Sequence, residues 1–355
     1  MKKTHPTPYF YEDKPLFGLD IGHDTVRVVQ TSDDKQPKVI GYGEISFPAN
    51  AIENGVIVRH EEIAQAIQRL FSHSLVGDIT TKRVSISLPI SRAFTRSVEL
   101  PKLTYKELQA AVKTEVDQYI PAAAESLYID FTSLPSGKDK WATYIVAMPR
   151  RIVDSHMTLC RMLGLEPVII QTSSGAGASL YDRDDQSDLP SVLVDFGSES
   201  ADITVYDQAP TVSGTVAFGG EEVTRIIEKS LGVTTREATI IKSKYGLNLS
   251  KKQKQIESAL EPSLKILVKE LQRSIRYYEE RAQSTSKIAQ IITMGGGANM
   301  PGLAEYLTHS IRLPVRAFDP TKFIDFGRLQ PFNTDGRMSY VTATSLSLMR
   351  PEEAF

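Results

Sequence analysis

Two stretches of this chain are one pattern written twice. "LFGLDIGHDTVRVVQ" from Leu16 and "SVLVDFGSESADITVYD" from Ser191 align without a gap at a constant offset of 175 residues. Asp20 thus meets Asp195, Gly22 meets Gly197, His23 meets Ser198, Asp24 meets Glu199 and Thr25 meets Ser200. Each copy reads as a strand, a D-x-G turn with a polar triplet, and a second strand, because apolar and β-branched residues flank a short turn with a glycine. A repeat of this period is too long for a solenoid. It predicts two structurally related α/β halves, each opening on a hairpin.

Composition agrees with more than one core. The chain has 355 residues, 41% of them hydrophobic, and single cores stop growing at about 250–300 residues. A formal net charge of -2 gives no global attraction to nucleic acid or to an anionic membrane. Cys160 is the only cysteine, so no intrachain disulfide forms and a cytoplasmic location is the default expectation. No stretch approaches the roughly 20 apolar residues of a membrane span, so any membrane contact is peripheral.

Along the chain, residues 1–15 read as a mobile leader rich in proline. The first core subdomain is expected from 16–93, 166–186 and 321–355. Residues 94–165 form a compact inserted unit, where Thr104 three residues before Glu107 makes a capping-box pattern at a helix over Tyr105–Tyr119. The second core subdomain is expected from 187–218 and 286–320, and a helical subdomain from 219–285. In the last, Ile256, Leu260, Leu264, Leu267, Leu271, Ile275 and Tyr278 keep spacings of three and four, which is a core stripe of a long helix. "SSGAGAS" and "SYVTATSLSLM" predict helices built from small residues, and Pro301 falls near the first turn of a further helix.

The chemistry follows from the turns. Glycine turns between strands aim backbone N–H groups into a concavity, and such nests bind phosphate. Carboxylates do not touch phosphate directly, but Asp20 and Asp195 make sense with Mg²⁺ between, since hard oxygen ligands hold that ion beside a nucleotide, usually through water. "GGGA", from Gly295 to Ala298, ends a strand and lets a flat ring or a phosphate approach the backbone. There is no C-x-x-C, no G-x-S-x-G and no G-x-x-x-x-G-K-[ST], which disfavours a metalloenzyme, an α/β hydrolase and a P-loop NTPase.

Two D-x-G hairpins followed by a late G-G-G-A loop resemble the actin, Hsp70 and sugar-kinase ATPase superfamily. Within it, "AIENGVIVRHEEIAQAI", "VLVDFGSESADITVYD" and "MGGGANMPGLAEYL" with "LPVRAFDP" are most similar to the PilM family of type IV pilus assembly proteins, and the similarity runs from about Leu16 to Met349. The implied fold is α/β, of the actin/Hsp70-like ATPase type, with two related halves and an inserted subdomain of the kind FtsA and PilM carry. The implied first phosphate loop is Asp20, Gly22, His23 and Asp24. The second is Asp195, Gly197, Ser198 and Glu199, with Asp20 and Asp195 facing Mg²⁺ through water. Gly295, Gly296 and Gly297 would border the adenosine of ATP, and Gly219, Gly220 and Glu222 would reach the ribose side.

The resemblance also implies a partner. PilM relatives bind a short N-terminal cytoplasmic tail of the inner-membrane protein PilN, so the expected protein is a cytoplasmic scaffold held at the inner membrane through its partners. Other pilus platform or motor components and self-association are further expected contacts; nucleic acid is not. The alternative is an FtsA-like cell-division protein that polymerises at the membrane, disfavoured by the short acidic end "SLMRPEEAF", which is no basic amphipathic anchor. A sugar or acid kinase would need a substrate base that no feature singles out. Three departures stand out: His23 where Ser or Thr is usual, Arg27 where Lys is common, and Gln171 in place of an acidic residue. His23 is read either as a pH-dependent phosphate donor or as a solvated turn residue. Gln171 is the one candidate to orient an attacking water, so slow or absent ATPase activity is expected, with ATP a structural clamp.

Overall fold

The computed structural model describes residues 14–136, 138–248, 252–281, 286–334 and 336–350. Most of the expected leader, and the closing "PEEAF", lie outside them. The chain divides into two compact units: residues 1–173 with 343–355, and residues 174–342.

The first unit contains β1 (Phe17–Ile21), β2 (Thr25–Thr31), β3 (Val39–Ser46), β4 (Ile52–Glu53), β5 (Val56–Ile57), α1 (His60–His73), β6 (Val76–Gly77) and β7 (Arg83–Leu88). It continues with β8 (Phe94–Pro101), α2 (Tyr105–Tyr119), β9 (Leu127–Pro135), β10 (Lys140–Pro149), α3 (Arg150–Met162) and β11 (Glu166–Thr172). The main sheet runs β11-β7-β1-β2-β3-β6, antiparallel from β1 to β2 to β3 and parallel from β1 to β7 to β11. β1, between antiparallel β2 and parallel β7, is buried on both faces. On one face Phe17, Leu19, Val26 and Val28 pack with Ile63, Ile67 and Leu70 of α1 and with Leu159 and Cys160 of α3. Each such side chain contributes about 1.5–3 kcal/mol on burial.

The other face explains Gly18. A Cβ there would come 2.2 Å from the carbonyl of Ala343 and 2.8 Å from Leu346, so the backbone of the small-residue helix α9 (Val341–Leu348) lies directly on the strand. Thr31 secures the contact by donating its hydroxyl to the carbonyl of Ser347 at 3.1 Å.

The inserted unit has a sheet of its own, β8-β10-β9. Leu108, Val112 and Val116 of α2 cover one face of it, against Leu100, Leu127, Ile145 and Ala147. The capping box is present: Glu107 N–H donates to Thr104 Oγ1, and Thr104 N–H donates to Glu107 Oε2 at 2.8 Å. The separate sheet ends at Pro149. The following helix α3 belongs to the first core through Leu159 and Cys160, a placement set by its apolar stripe and not by sequence proximity to the insert.

The second unit repeats the plan. Its elements are α4 (Ser173–Tyr181), β12 (Ser191–Phe196), β13 (Ala201–Tyr206), β14 (Pro210–Val216), α5 (Gly220–Leu231), α6 (Thr235–Lys244), α7 (Gln253–Arg281), β15 (Gln290–Met294), α8 (Leu303–Ile311) and β16 (Val315–Ala317). The strand order β14-β13-β12-β15-β16, with the same parallel and antiparallel pairings, matches β3-β2-β1-β7-β11 strand for strand. Ile256, Leu260, Leu264, Leu267, Leu271 and Tyr278 of α7 are buried in its core as their spacing predicts, with Ile275 partly so. Pro301 precedes α8 by two residues; Gly302, at φ 81°, caps the helix instead, because that conformation favours glycine.

One buried group links the first unit to acidity. The Nδ1 of His156 lies 2.9 Å from the carbonyl of Ile152, so the neutral ring carries its proton there. Burial, reinforced by nearby His60, pushes its pKa down to about 4 although the Ile152 bond works against this. The unfolded chain takes up this proton near pH 6.5 and the folded one near 4, so the stability His156 contributes is complete above pH 6.5 and lost as pH falls toward 4. A loss of about 3 kcal/mol is expected over that window. Urea unfolding between pH 7 and pH 4 should show a flatter acid limb in His156→Gln than in wild type.

Candidate functional site

Both hairpins close with the same bond. The Gly22 N–H donates to the carbonyl of Thr25 at 2.9 Å, and the Gly197 N–H donates to that of Ser200 at 2.8 Å. The two glycine amides are therefore spent on the turns, and the tips consist of His23 with Asp24 and of Ser198 with Glu199. Asp24 is tied in further: its carbonyl accepts from Phe47 N–H at 2.8 Å, and a side-chain oxygen accepts from Thr25 Oγ1 at 3.0 Å.

Asp20 stands at the end of β1, registered with Arg27 on β2. Ser87 of β7 donates its hydroxyl to Asp20 Oδ1 at 2.6 Å. Burial holds the Asp20 pKa above the usual carboxylate value, against the lowering effects of the Ser87 bond and of the Arg27 charge. Arg27 is held in turn by Glu44 at 3.0 Å. One strand beyond Ser87 lies Gln171, in register with it. The Gln171 side-chain oxygen accepts from its neighbour's backbone, Thr172 N–H, at 2.9 Å, so the amide is turned onto its own chain.

In the second unit the hairpin tip docks on the start of α5. Gly220 N–H donates to Gly197 O and Glu221 N–H to Ser198 O, both at 3.0 Å, and Ser198 Oγ donates to Glu221 Oε1 at 3.1 Å. This approach requires Gly219, where a Cβ would fall 2.1 Å from the Ser198 carbonyl. Gly295, at φ 81°, makes room in the same way: its missing Cβ would lie 2.2 Å from Asp195 Oδ1. A Cβ on Gly297 would likewise fall 2.8 Å from the Phe196 side chain.

Beside the start of α5 and the Gly296–Gly297 turn lies a cavity of about 460 Å³. Gly219, Gly220, Gly296 and Gly297 line it together with Phe196, Phe218, Lys242, Ser243, Asn248 and Ser339. Lys242 Nζ donates to the Gly220 carbonyl at 2.9 Å, and Ser339 Oγ would lie 3.0 Å from a Cβ on Gly296. Glu222 is not part of the wall; Arg225 on the next turn pairs with it. Lys242 and Ser339 were not legible beforehand, because a lysine on an amphipathic helix and a serine in a loop carry no signal of their own. Ser87 had one: in "RVSISLP" serines occupy alternate positions of a buried strand.

The cavity is mixed in polarity and floored by glycine backbone, and Asp20 and Asp195 hold equivalent strand-end positions in their units. Among the described residues no three His, Cys, Asp or Glu side chains cluster as a metal site, whereas Mg²⁺ with a nucleotide needs one or two carboxylates. Gly219→Ala should cost about 1–3 kcal/mol through overpacking, measured by urea unfolding. Gly214→Ala, where a Cβ meets nothing within 4 Å, should leave stability near wild type.

Comparisons with known proteins place the chain. Residues 18–351 match the family described as type IV pilus assembly protein PilM. A solved PilM-PilN type IV pilus biogenesis complex superimposes with a TM-score of 0.82 at 21% identity, over 95% of this chain and 98% of that one. MreB5 of Spiroplasma citri bound to AMPPNP has the same fold, with a TM-score of 0.53 at 12% identity over 94% of this chain and 95% of that one. The cell-division protein FtsA of Pseudomonas aeruginosa is 24% identical over 350 residues, covering 85% of this chain and 82% of its own. The actin-like ATPase fold expected from the paired hairpins is thus established. No helix among the described residues is long and apolar enough to cross a membrane.

Proposed function

Because the chain belongs to the PilM family of type IV pilus assembly proteins, we propose that it is an ATP-binding scaffold of that machine, docking a short cytoplasmic segment of a PilN-like inner-membrane protein. The observation that carries the nucleotide half is the glycine-walled cavity of about 460 Å³ beside the Asp195 hairpin. Gly296 and Gly297 offer the nucleoside close access to backbone, Lys242 supplies a cation in the wall, and the hairpin tips supply donors to phosphate. Bound with the nucleotide, Mg²⁺ would neutralise phosphate charge, and Asp20 and Asp195 are the residues that would hold it through water.

Turnover is a separate matter. Hydrolysis needs a water held in line with the γ-phosphate by a placed base or amide. Gln171 is the candidate, and its side-chain oxygen is engaged by Thr172. ATP in this reading is a clamp and not a fuel. Saturation at about 100 times the dissociation constant should stabilise the fold by roughly 2.7 kcal/mol, seen as a thermal shift, and Asp195→Ala should remove the magnesium-dependent part. Steady ATP turnover above about 1 s⁻¹ that disappears in Gln171→Ala would refute the clamp.

The partner half is supported by a groove in the inserted unit. Its volume is about 440 Å³, with Tyr105, Val112, Leu127, Tyr128, Phe131 and Arg150 on its walls. Tyr105 stacks on Phe131 with centroids 5.9 Å apart, and Arg150 lies 4.2 Å over the Tyr128 ring. Such rigid aromatic surface suits an extended segment with apolar side chains. Phe131→Ala should weaken binding of a PilN-like N-terminal peptide at least tenfold in a fluorescence titration, a loss of about 1.4 kcal/mol or more, while the ATP-induced thermal shift remains. Equal losses of peptide and nucleotide would point to damage of the fold.

A further inference from the structure

A buried hydroxyl is costly unless it is bonded, and β7 carries two of them on one face. Ser85 and Ser87 are two residues apart on a strand, hence on the same side, and both are buried. Their circumstances differ. The Ser85 hydroxyl has no hydrogen-bond partner, whereas Ser87 donates to Asp20 Oδ1 at 2.6 Å, a short bond to a carboxylate of the strong, charge-assisted kind. Asp20 is thereby flanked on both sides, by Ser87 from the parallel neighbour β7 and by Arg27 from the antiparallel neighbour β2.

The second unit has no serine at the corresponding position. Asp195, the counterpart of Asp20, is registered on its parallel neighbour with Met294, which has no hydroxyl, and the carboxylate is accommodated by the open space at Gly295. The serine is therefore not a demand of the shared strand plan. It is specific to the first hairpin.

We propose that Ser87 is a positioning residue: its hydroxyl fixes the Asp20 carboxylate in the orientation that receives the water shell of a nucleotide-bound magnesium ion, an inference that rests on the nucleotide reading above. Asp20 closes the parallel edge of the first hairpin, and one of its oxygens is held from inside the sheet. A carboxylate so held loses less freedom when it takes up an ordered water than one free to rotate, which is how outer-shell partners tune metal sites.

The test is a thermal-shift titration of the full chain with Mg²⁺ at fixed, saturating ADP, alongside ADP without the metal. Wild type should shift with ADP and shift further as Mg²⁺ rises. Ser87→Ala should need roughly tenfold or more Mg²⁺ to reach its midpoint, with the metal-free ADP shift retained. Ser87→Thr, which keeps a hydroxyl, should stay close to wild type, and Ser85→Ala should match wild type throughout. If Ser87→Ala does not fold, Ser87→Cys, similar in shape and a weak donor, takes its place with the same expectation. A Mg²⁺ midpoint unchanged in the Ser87 variant overturns the inference. So does equal loss of the ADP shift with and without metal, which would mark Ser87 as merely structural. No shift in wild type with any nucleotide defeats the nucleotide reading itself, and that result is visible before any substitution is made.

Discussion

A glycine amide donating to the carbonyl three residues on is the contact from which each unit is built. It appears at Gly22 and again at Gly197, and it fixes where the first strand ends and the second begins. Strand length and register follow, since a slip of one residue would turn every buried side chain to the wrong face. It also decides which polar groups sit at the tip. The residues after the glycine form the tip, and there the copies diverge into His23 with Asp24 and Ser198 with Glu199.

The copies diverge further in how they treat the strand-end aspartate. In the first unit Asp20 is buttressed by side chains, Ser87 and Arg27, and Arg27 is itself held by Glu44. In the second unit glycines at 219, 295 and 297 let backbone and hairpin close to distances no Cβ would allow. Space has a consequence for ligands. The same glycines that admit the hairpin tip leave the adjacent cavity floored by bare backbone, while the crowded first unit presents fixed side chains. The two copies thus differ in what lies beside the strand-end aspartate, a serine hydroxyl in one and a glycine in the other.

Much of this was legible in the sequence, for identifiable reasons. The 175-residue repeat encoded the common strand order because a D-x-G turn constrains backbone and side chains together. The α7 stripe and the Thr104 capping box were readable because each rests on local periodicity. What escaped depended on residues brought together from far apart. Lys242 reaches the Gly220 carbonyl across 22 residues, and Ser87 reaches Asp20 across 67; neither spacing carries a local rule. Glu222, assigned to the ribose side by resemblance, pairs with Arg225 one turn on, a contact between residues three apart on a helix.

Gln171 shows why fold resemblance and catalysis separate. It lies on β11 in register with Ser87, one strand from the group that holds Asp20, so position alone would favour a water-orienting role. Orientation argues otherwise, since its side-chain oxygen already accepts from Thr172 N–H. Freeing it means breaking that bond, and an orphaned backbone amide costs about 1–3 kcal/mol if no water replaces it. Binding requires no such rearrangement, because the glycine-walled cavity and the closed hairpins are already formed. As placed, Gln171 holds its own backbone and lies outside the cavity wall.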